Sequence, residues 1–229
     1  MDMKDRITQV FKQIQDTAVG CGRSPESVRL IAVSKTKPTE AVRSAIEAGA
    51  TDFGENYIQE AREKSRTLSS FPVSWHFIGH LQSNKAKYAV RIFDLIHSVD
   101  SLKLAVEIDK QARKIDKIQR ILIQVNVAGE SGKSGVSISE AEQLIAAVAN
   151  LTNIRIQGLM TMPPYTVNPE TARPHFQALR MLRDRIGSRC PSGVCMDELS
   201  MGMTGDYQVA IEEGATLVRI GTAIFGSRQ

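Results

Sequence analysis

Leu30-Ile31-Ala32-Val33-Ser34-Lys35 decides how this chain is read. Four aliphatic residues, a hydroxyl and an amine spell a strand that is buried on both faces and surfaces at its last side chain, as strands of parallel sheets do. A lysine held at that edge, half inside an apolar wall, is poorly solvated as an ammonium. Its pKa falls, and the neutral amine can attack a carbonyl. A solvated lysine at the start of a loop would look the same in isolation. Repetition of the pattern along the chain separates the two readings.

Further short apolar runs follow at residues 52–54, 73–78, 95–99, 121–127, 154–160, 198–201 and 216–220, after the first at 30–34. Amphipathic stretches lie between them. Pro38-Thr39-Glu40 opens a helix running to Gly49, and Ser101 opens one reaching Lys114. Ser137, with Glu140 three residues on, has the spacing of a capping box. Pro169-Glu170 begins a long helix through Arg185, and Asp206 starts the last. Before the first strand, Ile7, Val10, Phe11, Ile14 and Ala18 mark the buried face of an extra helix that ends at Gly20. Eight strands alternating with helices predict an α/β fold, a single (β/α)8 TIM barrel with an added N-terminal helix, spanning residues 1–229 as one domain. An open doubly wound sheet would need a glycine-rich phosphate fingerprint after its first strand, and none is present.

Composition excludes several classes. No run of about 18 apolar residues exists, so no helical membrane span is expected. Met1-Asp2-Met3-Lys4-Asp5-Arg6 lacks the apolar core of a secretory signal, which predicts a cytoplasmic protein. Cys21, Cys190 and Cys195 are an odd set without a nearby histidine pair, against both a disulfide framework and a zinc site. The net charge of +4 gathers mainly at Lys110, Arg113, Lys114, Lys117 and Arg120. That cluster has no interleaved aromatics and sits beside Asp109 and Asp116, so it reads as a solvated helix face, not a nucleic-acid surface. The charged outer helices show no large apolar stripe, which predicts a monomer.

Chemistry in such barrels gathers where the strands end. Those ends are Lys35, Glu55-Asn56, His80, Ser98, Asn126, Thr161, Ser200 and Arg219. Each alone has an ordinary structural explanation; together they line one rim with polar and reactive groups. After the last strand, Arg219-Ile220-Gly221-Thr222 turns into a short helix, where glycine admits close backbone approach and the helix start offers N–H groups to an anion. The preceding turn, Ser200-Met201-Gly202-Met203-Thr204-Gly205-Asp206, is a second glycine-spaced hydroxyl-bearing connection. Phosphate sites of barrels recur after strands seven and eight. A lysine across the mouth from a phosphate cup is what pyridoxal phosphate requires. Gly129-Glu130-Ser131-Gly132-Lys133-Ser134 invites a nucleotide P-loop reading, but Val127 stands where that motif demands its first glycine, so a glycine-rich loop is the better account.

Five stretches in order, Ile31 to Pro38, Phe53 to Tyr57, Trp75 to Lys85, Leu199 to Met203 and Arg219 to Gly226, resemble the pyridoxal phosphate homeostasis protein family, which is itself similar to a stand-alone N-terminal barrel domain of alanine racemase. The resemblance covers essentially the whole chain. It implies pyridoxal 5′-phosphate as cofactor, held as a Schiff base on Lys35. It implies phosphate contacts from Ser200, Gly221 and Thr222 around Met201, Arg219 near the pyridine nitrogen and Asn56 near the ring. His80 falls within a family motif. Thr204 stands where the family more often has a serine, and the hydroxyl is kept.

Alanine racemase uses a second acid/base, a tyrosine presented by a partner's C-terminal domain. The sequence up to Gln229 holds no such domain, and Tyr57, Tyr88, Tyr165 and Tyr207 offer no evident substitute. The expectation is therefore not an enzyme but a carrier that buffers or delivers the cofactor within the cell, with PLP-dependent apo-enzymes as partners and with neither nucleic acid nor membrane among them. A racemase of the alanine racemase type is the alternative, and a cofactor-free Schiff-base aldolase a third. Lys37, two residues past Lys35, is a candidate transient acceptor of the cofactor.

Overall fold

The computed structural model describes residues 2–130, 132–189 and 193–226; Ser131, Cys190 and Gln229 of the readings above lie outside them. Eight parallel strands close into a barrel in sequence order. They are β1 (Arg29–Val33), β2 (Asp52–Glu55), β3 (Ser74–Phe77), β4 (Leu95–Val99), β5 (Gln119–Gln124), β6 (Ile154–Met160), β7 (Val194–Met203) and β8 (Leu217–Ile220). β8 pairs with β1 in the register Ile31↔Arg219, which closes the ring and places the end of β8 beside the end of β1. The expected barrel is therefore the observed fold.

The helices outside the barrel are α1 (Met3–Gly20), α2 (Thr39–Glu47), α3 (Ile58–Thr67), α4 (Ala86–Ile92), α5 (Leu102–Arg113), α6 (Ile138–Val148), α7 (Arg173–Gly187), α8 (Tyr207–Glu212) and α9 (Thr222–Phe225). Their apolar stripes meet the outward faces of the strands in one large core, in which Phe53 and Trp75 stack at 5.6 Å and Phe77 and Phe93 at 5.0 Å. A second cluster, Ile31, Leu95, Leu122, Met160 and Leu217, fills the barrel interior. α1 is the extra helix, with Ile7, Val10, Ile14 and Ala18 buried. Its start is closed by a capping box between Asp2 and Asp5, whereas at α6 Ser137 meets the Glu140 carboxylate and caps no backbone N–H. α1 secures the end of the chain that forms the mouth: Arg6 Nε donates to Ile224 O at 2.6 Å, and the Tyr207 hydroxyl donates to Gln13 Oε1 at 2.7 Å.

Gly158 and Gly202 are among the glycines required by close approach. A Cβ on Gly158 would lie 1.9 Å from the Glu198 carbonyl oxygen, where the β6–β7 register shifts. A Cβ on Gly202, at φ +88°, would meet Ala210 Cβ at 2.6 Å. Because backbone, and not a flexible side chain, blocks position 158, Gly158→Ala is expected to destabilise the fold by about 2–4 kcal/mol, read as a lowered midpoint in urea unfolding. An unchanged midpoint would contradict that packing.

Candidate functional site

Lys35 sits on a tight turn that leaves β1, with Lys37 N bonding back to Ser34 O at 3.1 Å and Thr36 in the left-handed region at φ 63°. Left-handed backbone at a β-branched residue is strained, so the surroundings must hold it. α3 does so from both sides. Lys64 Nζ donates to Ser34 O at 2.7 Å, and the Glu60 carboxylate accepts from Thr36 N at 2.8 Å. Lys64 is only 4% exposed and also meets Glu55 Oε1 at 2.6 Å, where the Ser34 hydroxyl donates at 2.7 Å. Burial pushes the Glu55 carboxyl up from its ordinary range, while Lys64 and Ser34 pull it back.

The turn faces the other half of the mouth directly. A Cβ on Gly221 would press on Val33 O at 3.3 Å, so glycine lets the start of α9 lie against the end of β1. Lys37 Nζ donates to Phe225 O at 3.1 Å and to Gly226 O at 3.4 Å, pinning the last turn of α9 to the same loop. Lys37 is thereby engaged in clamping the mouth. Thr222 is exposed at the opening of α9, whose first N–H groups have no intrahelical acceptor.

Arg219 lies deeper, 4% exposed, with Nη1 donating to Ser200 Oγ at 2.5 Å and Nη2 to Thr161 O at 2.8 Å. Burial draws its pKa down to about 10, against the pull of Asp206 across the turn after β7. It therefore stays charged near neutral pH.

The remaining predicted rim residues divide. Asn56 follows β2 with its Oδ1 buried and without a partner among the described residues, and Gly79 passes so close that a Cβ there would lie 2.7 Å from Asn56 O. Ser98 is likewise buried with an unpartnered hydroxyl, and the Thr161 hydroxyl donates to Val125 O at 2.8 Å. Ser200 is fully buried and points into the barrel, its hydroxyl engaged by Arg219 and facing His97 at 2.9 Å. Met201, next in an alternating strand, packs in the outer core, leaving only backbone to offer a ligand. His80 is exposed and lies 3.4 Å from the Ser134 hydroxyl in the glycine-rich loop.

Sequence reasoning passed over Lys64, Glu60, Asp52, His76 and His97. His76 Nδ1 lies 2.9 Å from His97 Nε2, and His76 Nε2 lies 3.2 Å from Asp52 Oδ1. The signal was available. Histidines at inward positions of otherwise aliphatic strands need buried partners. Burial opposes the charge on Asp52, but His76, Thr51 and Arg29 outweigh it and hold its carboxyl below the usual range. Full burial drives His97 well below 6.5, helped by His76, Arg219 and Arg29.

Alanine racemase, N-terminal domain, is the family that matches residues 5–229. The chain is 44% identical over 229 residues to a pyridoxal phosphate homeostasis protein of Aquifex aeolicus, covering 100% of each. The structure of PipY from Synechococcus elongatus with PLP bound is similar at a TM-score of 0.85 and 34% identity, over 98% of this chain and 100% of that one. An alanine racemase of Clostridium difficile shares the fold alone, with a TM-score of 0.76 at 14% identity over 98% of this chain and 57% of the racemase. Among the described residues no cluster of three metal-ligating side chains occurs, and no helix is long and apolar enough to cross a membrane.

Two outcomes follow from the buried charges. Lys64→Met strands the Glu55 carboxylate and is expected to cost about 3–5 kcal/mol in urea unfolding, with Glu55→Gln in the same chain restoring part of it. The native state refuses the proton that unfolded His97 accepts near pH 6.5. Stability should be complete above that pH and fall on acidification by up to about 1 kcal/mol per pH unit. His97→Gln should flatten the slope, and an unchanged slope would count against a neutral buried ring.

Proposed function

This chain belongs to the alanine racemase N-terminal domain family, and we propose that it binds pyridoxal 5′-phosphate at the C-terminal mouth of its barrel and serves in the homeostasis of that cofactor. One observation carries the reading. The Lys35 turn, braced by Lys64 and Glu60, lies against Gly221 at the start of α9, while Arg219 is held in β8, two residues before that glycine. An amine, an anion-accepting helix start and a fixed guanidinium thus converge on one mouth.

The residues present fit the group. The unpartnered Asn56 Oδ1 at the adjacent strand end supplies a polar contact, and the Gly221 approach leaves backbone where a side chain would crowd. Bound pyridoxal phosphate would supply an aldehyde, and Lys35 is the residue whose amine would hold it, with loss of water. The turn presents that amine at a fixed place on the rim. Gly221 and Thr222 would hold the phosphate through N–H groups and a hydroxyl, with Met203 to Asp206 as the second wall. Arg219 would face the pyridine nitrogen; a guanidinium has no acceptor and keeps its charge near neutral pH, so it would disfavour a proton on that nitrogen. Ser200 accepts from Arg219 and holds it in place.

The protein acts as a cytoplasmic, monomeric, single-domain carrier with little turnover, delivering cofactor to PLP-dependent apo-enzymes. The name of its Aquifex aeolicus relative supports homeostasis. Among the tyrosines, the Tyr207 hydroxyl donates to Gln13, and Tyr57 and Tyr165 are exposed on loops.

Borohydride reduction of the cofactor-loaded protein followed by peptide mapping is expected to place the adduct on Lys35, and Lys35→Ala to fold yet take up no yellow band. An adduct elsewhere would overturn the assignment. Arg219→Ala should weaken retention during dialysis by roughly 10-fold, the loss of one charged contact. Rapid exchange of the alanine α-proton in deuterated water would replace the carrier reading with a racemase.

A further inference from the structure

Five polar side chains from five strands form one path through the barrel interior. Arg219 on β8 reaches Ser200 on β7, Ser200 faces His97 on β4, His97 meets His76 on β3, and His76 meets Asp52 at the start of β2. β3 and β4 stand opposite β7 and β8 in the closed ring, so the Ser200–His97 step crosses the barrel. The path runs from the mouth to the N-terminal end, where Asp52 joins the half-exposed Arg29 and, through it, Glu198.

Donor chemistry sets the two ends of the path. A guanidinium only donates, so Ser200 Oγ accepts from Arg219 and keeps a proton it can give to His97 Nδ1, and the Asp52 carboxylate at the far end only accepts. His97 then donates from Nε2 to His76 Nδ1, and His76 donates from Nε2 to the Asp52 carboxylate. In this arrangement each ring donates from Nε2 and accepts at Nδ1, and every donor points away from the mouth. Bonds aligned this way polarise one another between a fixed cation and a fixed anion. The charges facing the rings are Asp52 from β2, Arg29 from β1 and Arg219 from β8, with Asp206 facing Arg219 from the turn after β7. The neighbouring interior positions on β5 and β6 are apolar, Leu122 and Met160.

We propose that Asp52, His76 and His97, acting through Ser200, are positioning residues for Arg219: a one-directional hydrogen-bond relay that fixes the guanidinium at the mouth and passes to it the charge state of a carboxylate at the opposite end of the barrel. The functional consequence rests on the reading above that Arg219 faces the bound ring. The relay makes the electronic state of the cofactor sensitive to a residue that never touches it.

Nitrogen NMR of histidine-labelled, cofactor-free protein tests the direction, and absorption of the pyridoxal phosphate-loaded protein tests the consequence. Both rings should carry their proton on Nε2 with Nδ1 accepting; a proton on Nδ1 of either overturns the relay. Asp52→Asn keeps an acceptor for His76 and removes only the charge. Arg219 is then less compensated, so the pH midpoint of the bound cofactor's absorption band should fall by about half a unit. In a Ser200→Ala background, which cuts the path beside Arg219, the same substitution should produce no shift. Equal shifts in both backgrounds, or none in either, would show that Asp52 serves only the fold and overturn the proposal. If the wild type forms no band, or Arg219→Ala leaves band and retention unchanged, the binding reading fails instead. The relay is then decided on cofactor-free protein: Ser200→Ala must shift the His97 Nδ1 resonance, and an unmoved resonance overturns it.

Discussion

Arg219 carries a charge it cannot give up, inside a closed barrel, and much of the interior is arranged around that constraint. A buried guanidinium is tolerated only where acceptors and a compensating anion reach it. Here the acceptors are the Ser200 hydroxyl and the Thr161 carbonyl, with Asp206 on one side and the histidine path to Asp52 on the other. An aliphatic barrel layer would have been simpler to fold. Keeping the polar chain makes Ser200 a support for Arg219, which is why a serine at a strand end next to a phosphate-like turn faces inward.

A second constraint acts at Lys35. The turn that presents it includes a threonine in left-handed conformation, and α3 holds both flanks through Lys64 and Glu60. The α9 end is fixed to the same turn by Lys37 and to α1 by Arg6. Lysine, helix start and guanidinium are therefore set by separate elements that converge, so none is placed by a single flexible loop. The added N-terminal helix acts at this level: it locks the C-terminal segment that shapes the mouth.

Much of the frame was legible along the chain. Aliphatic runs such as 30–34, 95–99 and 154–160 carry their own burial signal, and each is a strand within one or two residues. α3 and α4 were not read, because Ile58–Thr67 is strongly polar and Ala86–Ile92 is short and has no side-chain cap. The Ser137–Glu140 pair had the spacing of a cap but the two side chains bond each other, a choice that local sequence does not settle. At the mouth, the placement of Lys35, Asn56, Gly221 and Thr222 at or just past strand ends is a local property, because it follows from where the aliphatic runs stop. The facing of Ser200 and Met201 is not: alternation within β7 sends one side chain to the barrel centre and the other to the helix layer.

The sequence by itself determined the strand and helix order, the closing of that order into a barrel and the set of reactive groups at one rim, because periodicity and strand termination are local properties of hydrophobic and charged side chains. Only the tertiary structure decided which polar residues became partners. Asp52, His76, His97, Ser200 and Arg219 are separated by up to 167 positions along the chain. They meet because closing β8 onto β1 sets opposite strands facing across the interior, where buried donors and acceptors must find one another or forfeit the water they left.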